Sequence, residues 1–239
     1  MVRTIDVPTN HSWLWIKNGF AIFRKAPTLF IGILALWVAM YGLLTGIFGA
    51  FGQIAFVLIY PALSASLMFS CQQIEMGQRL QVRHLLMGFR NNFRQLLSVG
   101  SISLAFSIIL GILISFIVPA DPDKLAQLKA ADPDLVPLLP WLLKTLLVQS
   151  IISAPVIMAL WFAPQLLIFQ KMSVSHAIRW SFYACIANIG TFSMYGLICF
   201  GLFVLGLLPA GLGLLIIIPT IVISNYSSYK DIFVEVIVS

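Results

Sequence analysis

The sequence predicts an all-α membrane protein with six transmembrane helices, arranged as three hairpins, each preceded by an amphipathic interfacial helix. Residues 1–239 form one integral membrane domain. Three observations predict this. Hydrophobic residues make up 60% of the chain and charged residues 9%, whereas a soluble domain carries about 25% charged residues to cover its surface. Long apolar runs recur, and a helix needs about 20 such residues to cross the hydrocarbon core. Of the 14 Lys and Arg residues, Arg3, Lys17, Arg24, Lys25, Arg79, Arg83, Arg90, Arg94, Lys171, Arg179 and Lys230 all fall on one side of those runs. By the positive-inside rule that side is cytoplasmic, and both termini lie there.

The first run covers residues 28–48 and the second 52–74, joined by an uncharged turn at Gly49 that makes a tight hairpin. The third covers 96–118. A polar stretch, 121–137, separates it from the fourth, 141–169, which is the longest and carries Pro155 and Pro164, so tilt and kinks are expected. The last hairpin joins 189–208 to 212–226 around Pro209 and Gly211. The short polar start of the chain, followed by a full-length apolar run, predicts a first span retained in the mature protein.

Between the hairpins lie segments too charged to span and too periodic for loops. In 83–95, Leu85, Leu86, Phe89 and Phe93 recur at helical spacing, with Arg83, His84, Arg90, Asn91, Arg94 and Gln95 on the other face. In 12–25 the expected ridge is Trp13, Ile16, Phe20 and Phe23, and in 173–188 it is Ile178, Phe182 and Ile186, with Ser173 or Ser175 capping. Such helices lie in the headgroup layer with cations toward phosphates. Arg24, Lys25, Arg83, Arg90, Arg94 and Arg179 are therefore expected to contact anionic lipid headgroups, which attract about 1 kcal/mol per Lys or Arg. The net charge of +6 reflects that surface, and no nucleic-acid partner is expected; a protein partner or homo-oligomer remains open. The alternation suggests a threefold repeat, 11–75, 82–170 and 173–232, with Pro61, Pro164 and Pro219 at corresponding places.

The polar stretch reads as a short helix capped by Asp121 and stopped by Pro133, resting on the membrane through Leu125 and Leu128. Its acidic residues Asp121, Asp123, Asp132 and Asp134 lack the glycine and ligand order of a calcium loop. No ionisable group lies deep in a run, so the usual mark of an ion or proton path is missing from the sequence. Gln149, Gln165 and Asn225 are the deep amides. They are read first as partners for backbone carbonyls freed at Pro155, Pro164 and Pro219, and second as polar lining of a cavity. Ser103, Ser107, Gly111 and Ser115 form a strip of small residues, read as a helix-packing face in preference to a hydroxyl-lined path. Gly42 and Gly46, and Ala62, Ser66 and Ser70, repeat the device. His11, His84 and His176 are expected half-exposed at the interface. Cys71, Cys185 and Cys199 lack metal-ligand spacing and read as apolar packers. With no phosphate loop, nucleophile elbow, HExxH or paired carboxylates, the expectation is a non-enzymatic protein without cofactor, metal or catalytic residue.

Several of these pieces, in order, resemble a family of multi-pass bacterial inner-membrane proteins of unknown function. They are Gly19, Phe20, Phe23, Arg24, Lys25 and Pro27; Pro61, Ala62 and Leu63; Gly88, Phe89, Arg90, Phe93 and Arg94; Trp161, Phe162, Ala163 and Pro164; and Tyr229, Lys230, Asp231, Ile232 and Phe233. Ala26 stands where the family pattern has a polar residue, usually Asn. The resemblance implies a multi-pass protein of the bacterial cytoplasmic membrane and transfers no site residue. The leading functional expectation is a membrane scaffold or partner subunit; the alternative is a transporter or permease for a small or lipidic substrate.

Overall fold

A computed structural model describes residues 2–78, 82–119, 121, 124, 128 and 136–235. Among the described residues the regular structure is helical apart from a two-stranded antiparallel ribbon, β1 (Val2–Thr4) and β2 (Phe233–Glu235), with Arg3 opposite Val234. Among the described residues five helices are long and apolar enough to cross a membrane: α2 (Pro27–Phe48), α3 (Ala50–Glu75), α6 (Phe93–Ile117), the broken helix Leu139–Phe169, and α10 (Ile189–Leu207). Their outer faces carry Leu36, Leu43, Phe51, Phe116, Ile151 and Phe200, all exposed, as a hydrocarbon solvent requires. Gly49, at φ 55°, makes the turn between α2 and α3.

The sixth expected span falls within α11 (Leu214–Ile232). Its first half is apolar, but Asn225, Tyr226, Ser227, Ser228, Tyr229, Lys230 and Asp231 complete it, so α11 lacks the hydropathy of the other five. Most of that polar half is buried against protein. The fourth run is two helices, α7 (Leu139–Trp161), which continues through Pro155, and α8 (Ala163–Phe169).

Helices occupy the segments expected to be interfacial, and part of each expected apolar ridge is exposed. In α1 (His11–Phe23) the buried side is Ser12, Trp15, Ile16, Gly19, Ile22 and Phe23, while Trp13 is 55% exposed and Phe20 39%. In α9 (Val174–Ala187) the buried side is Ala177, Ser181, Ala184 and Cys185, and Ile186 faces out. The segment expected as one helix over 83–95 is two short ones, α4 (Val82–Leu85) and α5 (Met87–Asn91), and Phe93 opens α6. Here His84 is buried against the Phe69 ring and Leu86 is exposed. Between membrane helices small residues allow close approach, while bulky apolar side chains are as content in lipid as in protein.

Each short helix docks through one small residue on a helix carrying or preceding a proline. A side chain at Gly19 would strike Ser224 and the Thr220 carbonyl of α11, 2.8 Å from its Cβ, just after Pro219. One at Gly88 would strike the Ala62 carbonyl of α3, next to Pro61, and there Gly88 N donates to Ser66 Oγ (2.9 Å). On α9 the small residue is Ser181, whose hydroxyl donates to Met158 O (2.7 Å) and accepts from Phe162 N (2.9 Å). The N-terminal segment is stitched in alongside: Val7 N donates to Asn188 Oδ1, Asn188 Nδ2 to Ile5 O, and Thr191 Oγ1 to Val7 O.

The acidic helix expected after Asp121, with Asp123, Leu125, Asp132, Pro133 and Asp134, lies outside the described residues, as does Arg79. At its start Lys124 N donates to Asp121 Oδ1 (3.3 Å), the bond expected of an N-cap, and the two side chains pair at 2.8 Å.

Gly88→Leu should destabilise the protein by about 1–3 kcal/mol through overpacking. Gly42→Leu, at a position with nothing in contact range, should leave stability unchanged; thermal unfolding in detergent compares them.

Candidate functional site: an intramembrane cavity

The bundle holds a half-open cavity of about 530 Å³, walled by α2, α3, α6, α7, α8, α10 and α11. That volume lies within the range typical of small-molecule sites. Trp37, Tyr60, Phe106 and Trp161 supply aromatic surface, and Ser64, Ser103, Ser107, Gln149, Ser153 and Asn225 supply polar groups. Among the described residues no Lys, Arg, His, Asp or Glu lines it.

Proline placement opens this space. Pro164 has no N–H to return to the preceding turn, and α7 stops at Trp161. The bond that Phe162 N would make to Met158 O in a continuous helix is replaced by the bridging Ser181 hydroxyl. Pro61 and Pro164 both stand in the cavity wall. Gln165, fully buried, completes the break: with its amide turned to the orientation that suits both ends, Nε2 donates to Trp161 O and Phe162 O (both 3.2 Å) and Oε1 accepts from Asn225 Nδ2 (3.1 Å). The expected bond between Gln165 and carbonyls near Pro164 is present, and the same amide clasps α8 to α11.

Two polar atoms on this wall are left over. Asn225 Oδ1 and Trp161 Nε1 are buried and have no hydrogen-bond partner among the described residues. An unmet buried acceptor or donor costs about 1–3 kcal/mol, and here one of each belongs to residues lining the same cavity. Gln149, which lies on α7, also lines it. Of the three deep amides, Gln149 and Asn225 thus face the cavity and Gln165 seals its edge. The strip on α6 departs from the packing expectation: Ser103 and Ser107 line the cavity, a side chain at Gly111 would meet nothing, and the close approach to α3 falls at Gly100, against the Leu58 carbonyl.

A second cavity, about 550 Å³, continues along the same walls. On α3 the first uses Tyr60, Pro61, Ser64 and Met68 and the second Phe69, Gln72, Glu75 and Met76; on α11 Asn225 belongs to the first and Tyr226, Tyr229 and Lys230 to the second. On the broken helix Pro164 is followed by Ile168 and Phe169. The second cavity is polar and ionic: Lys230 Nζ lies 2.7 and 2.8 Å from the Glu75 oxygens, and Tyr226 donates to Glu75 Oε2 (2.9 Å). Nearby, Asp231 Oδ2 accepts from Trp15 Nε1 (2.7 Å) and lies 2.8 Å from His11 Nδ1. The sequence reading passed over Glu75, although it is the one acidic residue between Asp6 and Asp121. Trp161 and Ser181 carried no sequence signal of their role.

The candidate headgroup cations, Arg24, Lys25, Arg83, Arg90, Arg94 and Arg179, are all exposed, and none has a carboxylate in ion-pair range among the described residues. Arg24 lies over the Phe20 ring (5.8 Å). Arg83 and Arg90 share a shallow pocket with Gln73 and Gln78, whereas Arg24, Lys25 and Arg179 stand on other helices. Cys71 and Cys185 are buried and all three thiols are free; burial pushes the Cys185 thiol up to about 12. Among the described residues no group of His, Cys, Asp or Glu has metal-binding geometry.

These features define a multi-pass membrane protein. The chain is 24% identical to a probable inner membrane protein of Burkholderia thailandensis, across 97% of this chain and 94% of that relative, in line with the resemblance to uncharacterised inner-membrane proteins. No protein-family model matches the chain, and no solved structure matches significantly.

Gln165→Leu should cost about 1–3 kcal/mol by leaving Asn225 Nδ2 buried and unpaired, read as a lower unfolding temperature. At neutral pH a maleimide should leave Cys185 unmodified in the folded protein and modify it after denaturation, as mass spectrometry would record.

Proposed function

We propose that the protein is a six-span permease that takes a small or lipidic substrate into its bundle from one side of the cytoplasmic membrane. The observation that carries this reading is the pair of cavities end to end along α3, the broken helix and α11. Between them lies the Gln165–Asn225 amide pair. One chamber sits among the spanning helices and the other at the charged end of the bundle. Broken helices around a midplane site are a recurrent transporter arrangement. Catalysis has no part in this reading.

The count of six in this reading is supported by the pairing of the two strands. Antiparallel β1 and β2 bring the termini together, and only an even number of crossings returns a chain to its starting side. With five apolar spans, α11 is the sixth crossing, its polar half sheltered by α1 rather than facing lipid. The positive-inside rule puts both termini in the cytoplasm, making the Glu75–Lys230 chamber the inner one. A second reading, a membrane scaffold or partner subunit, is favoured by the unpaired exposed cations, which suit anionic headgroups.

A cysteine at Ala50 or Leu212 should react with a membrane-impermeant reagent only from the periplasmic side, and one at Arg90 only from the cytoplasmic side; labelling at Leu212 from the cytoplasm overturns the sixth crossing. In reconstituted vesicles, saturable protein-dependent movement of solute or lipid should fall at least tenfold in Ser64→Trp, which fills the cavity, with unfolding temperature unchanged. No movement with the wild type, together with copurification of a specific protein or anionic lipid, would favour the scaffold.

A further inference from the structure

We infer that Arg83 and Arg90 form a discrete binding site for a phosphate group at the headgroup level of the membrane. The inference goes beyond the permease reading and does not depend on transport. The two guanidiniums come from separate short helices, α4 and α5, and line one pocket of about 380 Å³ together with Gln73 of α3 and Gln78 just beyond it. Arg83, Arg90 and Gln78 are exposed, so the side chains that would meet the ligand are reachable from outside. The backbone that carries the arginines is anchored. His84 is buried against the Phe69 ring (5.8 Å), Gly88 N is bonded to Ser66 Oγ, and Asn92 Nδ2 donates to Leu167 O (3.3 Å). Arg83 adjoins the first of these anchors and Arg90 stands between the other two. A site on anchored backbone orders less of the protein when it is filled.

Electrostatics selects an anion. No Asp or Glu occurs between Glu75 and Asp121 in the chain, and neither arginine has a carboxylate in ion-pair range among the described residues. Glu75, two residues past Gln73, is taken by Lys230 and Tyr226. Among anions, phosphate matches the geometry: each guanidinium fork binds two of its oxygens at once, and two forks on one pocket suit an ion with several. Position supplies the phosphate. The pocket lies where α3 ends, at the Gly77 turn (φ 75°), and just before α6 begins at Phe93. Both are apolar spans, so their ends mark the layer in which lipid phosphates stand. A soluble phosphate ester shares the same chemistry.

The test uses full-length protein in mild detergent with three probes: dioleoyl phosphatidylglycerol, oleic acid as an anion without phosphate, and glycerol 3-phosphate. Native mass spectrometry counts the bound molecules, and titration gives affinities. Phosphatidylglycerol should bind saturably and about tenfold more tightly than oleic acid. Arg83→Gln and Arg90→Gln should each weaken it about tenfold, the effect of losing hydrogen bonds to a charged partner. Arg90→Lys, which keeps the charge and loses the fork, should also weaken it. Arg24→Gln and Arg179→Gln, which remove the same charge from other helices, should leave affinity unchanged. All four residues are exposed, so unfolding temperature without probe should not move in any of these variants. Glycerol 3-phosphate that binds with the same dependence on Arg83 and Arg90 and displaces the lipid upholds the site and makes its phosphate a soluble one; failure to displace makes it a lipid's. Oleic acid binding as tightly as phosphatidylglycerol, equal losses in Arg24→Gln and Arg83→Gln, or binding of neither phosphate probe overturns the inference.

Discussion

Three short helices seat a residue without bulk, Gly19, Gly88 or Ser181, on the backbone of a longer helix beside its proline, and the bundle depends on these contacts. In hydrocarbon there is no hydrophobic drive to bring helices together. Association must come from close packing and from hydrogen bonds with nowhere else to go. A proline frees a carbonyl, and in a bilayer a freed carbonyl must find a donor inside the protein. At the break of α7 the Ser181 hydroxyl takes the Met158 carbonyl and receives Phe162 N–H, and Ser66, whose hydroxyl donates to the Ala62 carbonyl one turn back, receives the Gly88 N–H.

The same breaks create the cavity. A continuous helix through Trp161 and Pro164 would pack along its length against α3 and α11; interrupted, it leaves space bordered by the groups the interruption exposes. Gln165 takes up two carbonyls of the break and holds Asn225. That leaves Asn225 Oδ1 and Trp161 Nε1 at the wall as the polar groups still unmet.

At the other end, buried and half-buried charges pair in a compact knot. Glu75, Tyr226 and Lys230 form one part and His11, Trp15 and Asp231 another, both on α11. Through them α1, α3 and α11 are tied together beside the strand ribbon. This explains why the second half of α11 is so polar for a helix in this chain: its partners are protein groups, not lipid. It also gives the motif Tyr229, Lys230, Asp231, Ile232 and Phe233 a structural role, as the strip where the end of the chain meets its beginning.

Much was legible in the sequence because composition acts through length and solvent. Apolar runs of spanning length, cations gathered on one side and prolines inside helices pointed to a multi-pass helical protein, and the runs gave the bounds of its five apolar spans to within a few residues. What the tertiary structure decided was direction. Trp13 and Phe20 read as one ridge with Ile16 and Phe23, yet the first two are exposed and the last two buried, because lipid accepts a large apolar side chain and a neighbouring backbone accepts only a small one. Ser103 and Ser107 turned from a packing strip into cavity wall, and the weakly apolar α11 gained burial from α1. Each of these depends on which helix lies opposite, a relation between residues far apart in the chain that no local pattern of side chains carries.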